Sequence, residues 1–274
     1  MKNLLQRTLT GIVFVSIIIG CISWNKWSTA ILFLFFSTLG TIEFYQILKK
    51  RELSNNSIYG SVVNVVIYSL MTLAFIDVIH FEYLFIGIPF LIFLVLMELF
   101  SKDDIPYQNI SSTLFALFYI TLPFSALNYL SFNSMIYEKI ELSTNWSLLA
   151  GYFIILWTSD SMAYIVGRLI GKHKLFERIS PGKTWEGFFG GIVFSVLAGY
   201  LFAYFTDSSM LHWMIMAVII SVFGTLGDLS ESLLKRSGDV KDSGTILPGH
   251  GGVLDRFDGI LFSAPLILAY LLFI

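Results

Sequence analysis

Long apolar stretches alternate with short polar breaks from one end of the chain to the other. A helix needs about 20 apolar residues to cross a hydrocarbon core of roughly 30 Å. About nine stretches meet or approach that length, at roughly 8–24, 27–47, 60–79, 81–99, 110–130, 147–167, 185–205, 211–228 and 256–274. The break near His80 is short, and the sixth and eighth stretches have polar ends, where Asp160 and Asp228 sit. The pattern predicts an all-α polytopic integral membrane protein with a single transmembrane domain over residues 1–274. Within it, residues 1–145 supply helices for packing and a lipid cleft, and residues 146–274 gather the polar groups that bear chemistry.

Composition agrees: 56% of the 274 residues are hydrophobic and 13% charged, against about a quarter charged in a soluble domain, and the mean hydropathy is +0.77. The net charge of -2 says little until the charges are placed by loop. With the amino terminus inside, Lys49, Lys50, Arg51, Lys102, Arg168, Lys172, Lys174, Arg178, Lys183, Lys235, Arg236, Lys241 and Arg256 fall on the cytoplasmic side, and only Lys26 and Lys139 fall outside. That asymmetry follows the positive-inside rule and predicts an odd number of spans, with the carboxyl terminus outside. Lys2 and Arg7 before the first apolar run resemble a signal peptide, and the residues before Cys21 loosely resemble a lipoprotein site. The run is long enough to span and others follow, so it reads as the first helix. Cys21, the one cysteine, excludes an intramolecular disulfide and a cysteine metal cluster. No internal repeat marks symmetric transporter halves.

The polar residues concentrate in two runs. In the first, from Ser159 to Gly191, Asp160, Tyr164 and Arg168 are spaced by four and so form one stripe of a helix. An ionisable group inside a membrane is a functional candidate by default. Lys172 and His173 follow, on a basic surface suited to anionic headgroups. In SPGKTWEG, Ser180 and Pro181 precede an expected helix start, Lys183 and the backbone near Thr184 suit phosphate, and Trp185 suits the interface; a juxtamembrane turn with an aromatic anchor explains the same residues. Gly167 with Gly171, and Gly187 with Gly191, have the spacing that lets helices pack closely.

The second run, from Ser232 to Asp258, is preceded by Asp228. If the helix continues past Asp228, then Ser232 and Lys235 share its face, an arrangement equally explained by a solvated helix end. Gly238, Gly244, Gly249, Gly251 and Gly252 free the backbone to turn N–H groups toward an anion. Lys235, Arg236, Lys241 and Arg256 add the positive charge that a triphosphate or pyrophosphate needs. Asp255 and Asp258 are expected one turn apart at the start of the last span. Together with Asp228 they suit magnesium, which takes one or two carboxylates plus substrate phosphates; helix capping is the plainer reading of either one alone. His250 is read as a phosphate or structural contact rather than a general base. Glu43 and Glu98, near cytoplasmic helix ends, are not assigned.

The run from Ser232 to Asp258 resembles the defining motif of the phosphatidate cytidylyltransferases, also known as CDP-diacylglycerol synthases. It matches at Ser232, Lys235, Arg236, Lys241, Asp242, Gly244, Pro248, His250, Gly251, Gly252, Asp255, Arg256 and Asp258. The runs GRLIGKHKL and SPGKTWEG are similar to the same family. The resemblance implies transfer of CMP from CTP to phosphatidate, in a homodimer among membrane lipids, with no nucleic-acid partner. It implies a two-cation centre at Asp228 and Asp255, with Asp258 a further candidate ligand; one ion is magnesium and the other divalent or monovalent. Lys235, Arg236, Lys241 and Arg256 are then expected at the reacting phosphates. Asp160, Arg168, Lys172, Ser180, Lys183, Thr184, Ser232, Gly244, His250, Gly251 and Gly252 are expected to contact substrate. The charge pattern fits a bacterial inner membrane with the site facing the cytoplasm. A CTP-dependent lipid kinase is the nearest rival. A CDP-alcohol phosphatidyltransferase fits less well, because DRFDG lacks the spaced arginine and paired aspartates that follow in that family. A cation transporter would not need the basic glycine-rich loop.

Overall fold

The structure is a computed structural model and describes residues 2–51, 56–102, 104–132, 134–142, 147–244 and 251–274, with side chains omitted at 2–9, 132 and 134–136. Among the described residues there are twelve α-helices: α1 (Lys2–Trp24), α2 (Lys26–Lys49), α3 (Ser57–Phe75), α4 (Gly87–Phe100), α5 (Pro106–Ala116), α6 (Leu122–Phe132), α7 (Ser134–Lys139), α8 (Ser147–Ile170), α9 (Trp185–Phe205), α10 (Met210–Ser237), α11 (Leu254–Phe257) and α12 (Ile260–Phe273). A 3-10 turn over Phe81–Ile86 leads into α4, and a π turn over Leu117–Thr121 joins α5 to α6. Among the described residues, seven helices are long and apolar enough to cross a membrane, and two shorter apolar helices, Thr10–Trp24 and Ile260–Phe273, occupy the first and ninth expected positions.

Local chemistry explains several boundaries. Asn25 starts α2 with its side-chain oxygen accepting from the N–H groups of Trp27 and Ser28, while the Ser28 hydroxyl accepts from the Asn25 N–H. This reciprocal cap satisfies donors that a helix start otherwise leaves orphaned, and it lets a tight turn separate α1 from α2. Thr184 caps α9 with a single bond, its hydroxyl accepting from Gly187 N–H at 3.2 Å.

Three expectations need correction. The SPGKT segment forms a strand, β2 (Ser180–Thr184), paired antiparallel with β1 (Lys174–Phe176), so Pro181 lies in a hairpin and the helix opens only at Trp185. Proline is tolerated there because a two-stranded ribbon leaves edge positions without a ladder bond. The eighth helix does not stop near Asp228 but runs on to Ser237. The last apolar helix begins at Ile260 rather than near Arg256, after the separate short helix α11, so Asp255 and Asp258 do not share one continuous helix.

The chain forms two compact units, one of residues 1–129 and 234–257, the other of residues 130–233 and 258–274. The first is centred on α2 and α3. Phe257 of α11 anchors it, with ring centroids 5.5 Å from Phe14, 4.8 Å from Phe36 and 5.1 Å from Phe124. Buried polar groups pair within it: Asn64 accepts from Ser37 at 2.9 Å and Thr121 at 2.6 Å, and Asn128 donates to Tyr68 at 2.7 Å. Such pairing is what apolar surroundings demand of a polar side chain.

In the second unit α8 and α9 lie against each other through small residues. A Cβ on Gly187 would sit 2.5 Å from the Ala163 carbonyl oxygen and 3.1 Å from Gly167 Cα. The glycine spacing seen in the sequence therefore serves packing, as expected. Gly227 of α10 similarly admits the backbone of Asp258, whose carbonyl oxygen would lie 2.4 Å from a Cβ there. That approach brings Asp258 to the helix that carries Asp228.

Candidate functional site

In the second unit the extension of α10 places Asp228 and Ser232 on one face, and the Ser232 hydroxyl donates to Asp228 Oδ1 at 3.3 Å. The other Asp228 oxygen, Oδ2, meets Lys183 Nζ at 2.6 Å. Lys183 reaches it from strand β2, so the hairpin delivers a cation to an aspartate near the end of a membrane helix. Asp258 lies close enough to feel the charge of Asp228, Asp160 and Glu231, with Lys183 opposing them. Asp160, Tyr164 and Arg168 lie along α8 at the spacing that puts them on one stripe, and all three are exposed. Lys172, His173, Lys174 and Arg178 are exposed around the hairpin, and His173 Nδ1 is 2.7 Å from Glu186 Oε1. Thr184, expected at substrate, is buried with its hydroxyl used by the helix cap. Ser180 is half-buried beside the exposed Pro181 and Gly182.

In the first unit Asp255 is held by four donors. Lys235 Nζ donates to Oδ1 at 2.6 Å, and Oδ2 accepts from Gly252 N–H at 2.8 Å and from both the N–H and the hydroxyl of Ser243 at 3.0 Å. Burial pushes this carboxyl up. The Lys235 hydrogen bond, the Gly252 N–H, the Lys235 charge and the Ser243 N–H outweigh burial and hold it below its ordinary 3.8. Gly251, at φ +84°, makes the turn that aims the Gly252 N–H. A Cβ on Gly251 would also strike Asp255 Oδ2 at 2.5 Å. The loop glycines were expected to turn N–H groups toward a ligand anion; here one of them grips the chain's own carboxylate.

Glu43, which the sequence left unassigned, belongs to the same knot. It is 1% exposed and accepts from Val253 N–H at 2.9 Å, Leu254 N–H at 3.0 Å and the Ser243 hydroxyl at 3.0 Å. The signal for it was an acidic residue inside an apolar helix, where an unsatisfied carboxylate is costly. Arg236, Lys241 and Arg256 are exposed, and Arg236 also donates to the Val240 carbonyl at 3.4 Å. Gly244 packs on Glu43. His250, with Gly249, lies outside the described residues.

A profile of the Cytidylyltransferase family matches residues 5–274. The chain belongs to this family. It is 37% identical over 268 residues to a phosphatidate cytidylyltransferase of Staphylococcus epidermidis, covering 95% of this chain and 96% of that protein. It is 34% identical over 267 residues to a phosphatidate cytidylyltransferase of Staphylococcus aureus, with 95% and 96% covered. A protein of the same name from Staphylococcus haemolyticus is 52% identical over 117 residues, 42% of this chain and 45% of that one. Membership makes the chain a transferase, built on apolar helices long enough to cross a membrane.

The donor chemistry fits a hard divalent cation. Asp228 and Asp255 each pair with a lysine ammonium at 2.6 Å, and each offers hard oxygen of the kind magnesium takes. Among the described residues no three His, Cys, Asp or Glu side chains form a group that could hold a metal. Magnesium at either carboxylate would draw its remaining ligands from substrate oxygens and water, its usual habit at phosphate sites.

Proposed function

We propose that this protein transfers CMP from CTP to phosphatidate, forming CDP-diacylglycerol and releasing pyrophosphate. One observation carries the reading: relatives bearing the name phosphatidate cytidylyltransferase align along 95% of the chain. The two carboxylate–lysine pairs, Asp228 with Lys183 and Asp255 with Lys235, are compatible with it, since each brings a hard oxygen and a cation together.

A phosphate oxygen of phosphatidate attacks the α phosphorus of CTP, and the bond from that phosphorus to the bridging oxygen of the β phosphate breaks. The attacking oxygen is ionised at neutral pH, so no strong base is required. The obstacle is repulsion between two polyanions, and positioning with charge neutralisation carries most of the rate. Magnesium, when bound, supplies positive charge to triphosphate oxygens. Asp228 and Asp255 would each furnish oxygen to a cation, and Asp258 is a further acidic neighbour of Asp228. Lys235, Arg236, Lys241 and Arg256 hold phosphate oxygens, the last three from exposed positions, and Lys183 is a further phosphate contact. Asp160, Arg168, Lys172 and Ser180 stand along the surface that receives the headgroup. The reading includes a homodimer in a bacterial inner membrane, amino terminus and active site facing the cytoplasm.

Purified protein is incubated with phosphatidate, magnesium and CTP labelled at the α or the γ phosphate. The α label is expected in the lipid fraction and the γ label in pyrophosphate. A CTP-dependent lipid kinase would instead put γ label into lipid and release CDP, and that outcome would overturn the reading.

A further inference from the structure

Glu43 sits on α2, some two hundred residues before the loop it touches, and its three hydrogen bonds all go to that loop. Their arrangement is specific. One donor, the Ser243 hydroxyl, lies just before the glycine-rich loop, and the other two, the Val253 and Leu254 N–H groups, lie just after it at the start of α11. Glu43 therefore closes the base of the loop. Oε1 accepts from Val253 and Oε2 from Leu254 and Ser243, so both oxygens act only as acceptors, which suits a carboxylate and not an amide.

The Ser243 hydroxyl has a single hydrogen, and it lies 3.0 Å from both Glu43 Oε2 and Asp255 Oδ2. The two carboxylates thus share one donor. Neighbouring backbone leaves no slack around them: a Cβ on Gly252 would lie 2.5 Å from Glu43 Oε2 and one on Gly244 2.5 Å from Oε1. Burying a carboxylate in an apolar helix costs free energy that packing alone would avoid with an apolar residue. Its retention with every oxygen committed to one loop calls for a role in that loop.

We propose that Glu43 is a positioning residue for the transfer reaction, fixing the α11 backbone and the Ser243 hydroxyl so that the Asp255 carboxylate keeps the orientation the reaction uses. Its catalytic consequence rests on the cytidylyltransfer reading; the anchoring itself does not. Glu43 is buried and acts through Ser243, Val253 and Leu254.

Glu43→Gln keeps the shape but turns an amide NH2 toward backbone N–H groups. The full-length variant is compared with the wild type by steady-state kinetics and by hydrogen exchange read peptide by peptide. We expect kcat to fall about tenfold or more with KM for CTP and phosphatidate changed less than about threefold, the split left by an interaction felt mainly in the transition state. Exchange should quicken over residues 251–257 and stay unchanged in α8 and α9. Glu43→Asp, a methylene shorter, should recover part of both effects. Unchanged exchange over 251–257 would overturn the anchoring, and faster exchange with wild-type kcat would overturn the positioning role. Faster exchange throughout the chain would also overturn it, because Glu43 would then be a general stability residue. An inactive wild type would overturn the cytidylyltransfer reading, while the exchange data would still decide the anchoring.

Discussion

Lys235 and Arg51 each pair with an aspartate, yet the two pairs differ in consequence because their surroundings differ. The side chains of Arg51 and Asp239 are 50% and 75% exposed, whereas those of Lys235 and Asp255 are 13% and 7% exposed. Removing one partner of the exposed pair should cost about 0–1 kcal/mol. Removing Lys235 strands a mostly buried carboxylate and should cost about 3 kcal/mol. Thermal melting of Lys235→Met beside Arg51→Met checks the contrast, with a clear fall in midpoint for the first and little change for the second. The pH dependence has a definite sign. Asp255 titrates below its ordinary 3.8, so its contribution to stability is complete above that value and is lost as pH falls through the lowered one. Acid melts of wild type should show this loss, and Asp255→Asn should lack it. Asp228→Asn should lower turnover by about a hundredfold or more while the protein stays folded, as expected where charge neutralisation carries the rate; activity near that of wild type would remove Asp228 from the reaction. Asp228, Ser232 and Lys235 were legible at this scale because a helix repeats every 3.6 residues. Glu43 was not, since nothing local reveals that a carboxylate on α2 meets a loop two hundred residues away.

At the scale of elements, α8 and α9 depend on how close their backbones come. A Cβ at Gly187 would press on backbone atoms, which cannot swing aside, whereas one at Gly182 on the hairpin meets nothing within 4 Å. Gly187→Ala should therefore destabilise by about 1–3 kcal/mol, the usual cost of overpacking, and Gly182→Ala should be neutral, as thermal melts in detergent would report. The spacing of glycines pointed to this contact from sequence. The hairpin was missed, because five residues containing proline and glycine carry no alternation of apolar and polar positions. That omission matters: the strand β2 is what carries Lys183 to Asp228. The end of α10 was also placed too early, since apolar content stops near Asp228 but helix propensity does not. Ser232, Glu231, Leu233 and Lys235 continue a helix in polar surroundings as readily as in lipid.

At the scale of the whole molecule, the charge asymmetry between loops predicts which side each break faces. On a background with Cys21 replaced, a cysteine introduced at Lys174 or Lys50 should react with an impermeant thiol reagent from the cytoplasmic face, and one at Lys26 from the opposite face; the reverse pattern would invert the proposed orientation. The length and recurrence of the apolar stretches by themselves predicted a helical membrane protein. Its motif run, read with the resemblance, determined which reaction class to expect. Both are properties of contiguous residues, where side-chain spacing and local backbone preference act directly. The identity of partners was decided only by the tertiary structure: that Lys183 meets Asp228, that Asp255 is held by Lys235, Ser243 and Gly252, and that Glu43 closes the loop. The physical reason is that a buried charge must find opposite charge or hydrogen bonds wherever the fold brings them, and which distant group comes within 3 Å depends on how the helices pack.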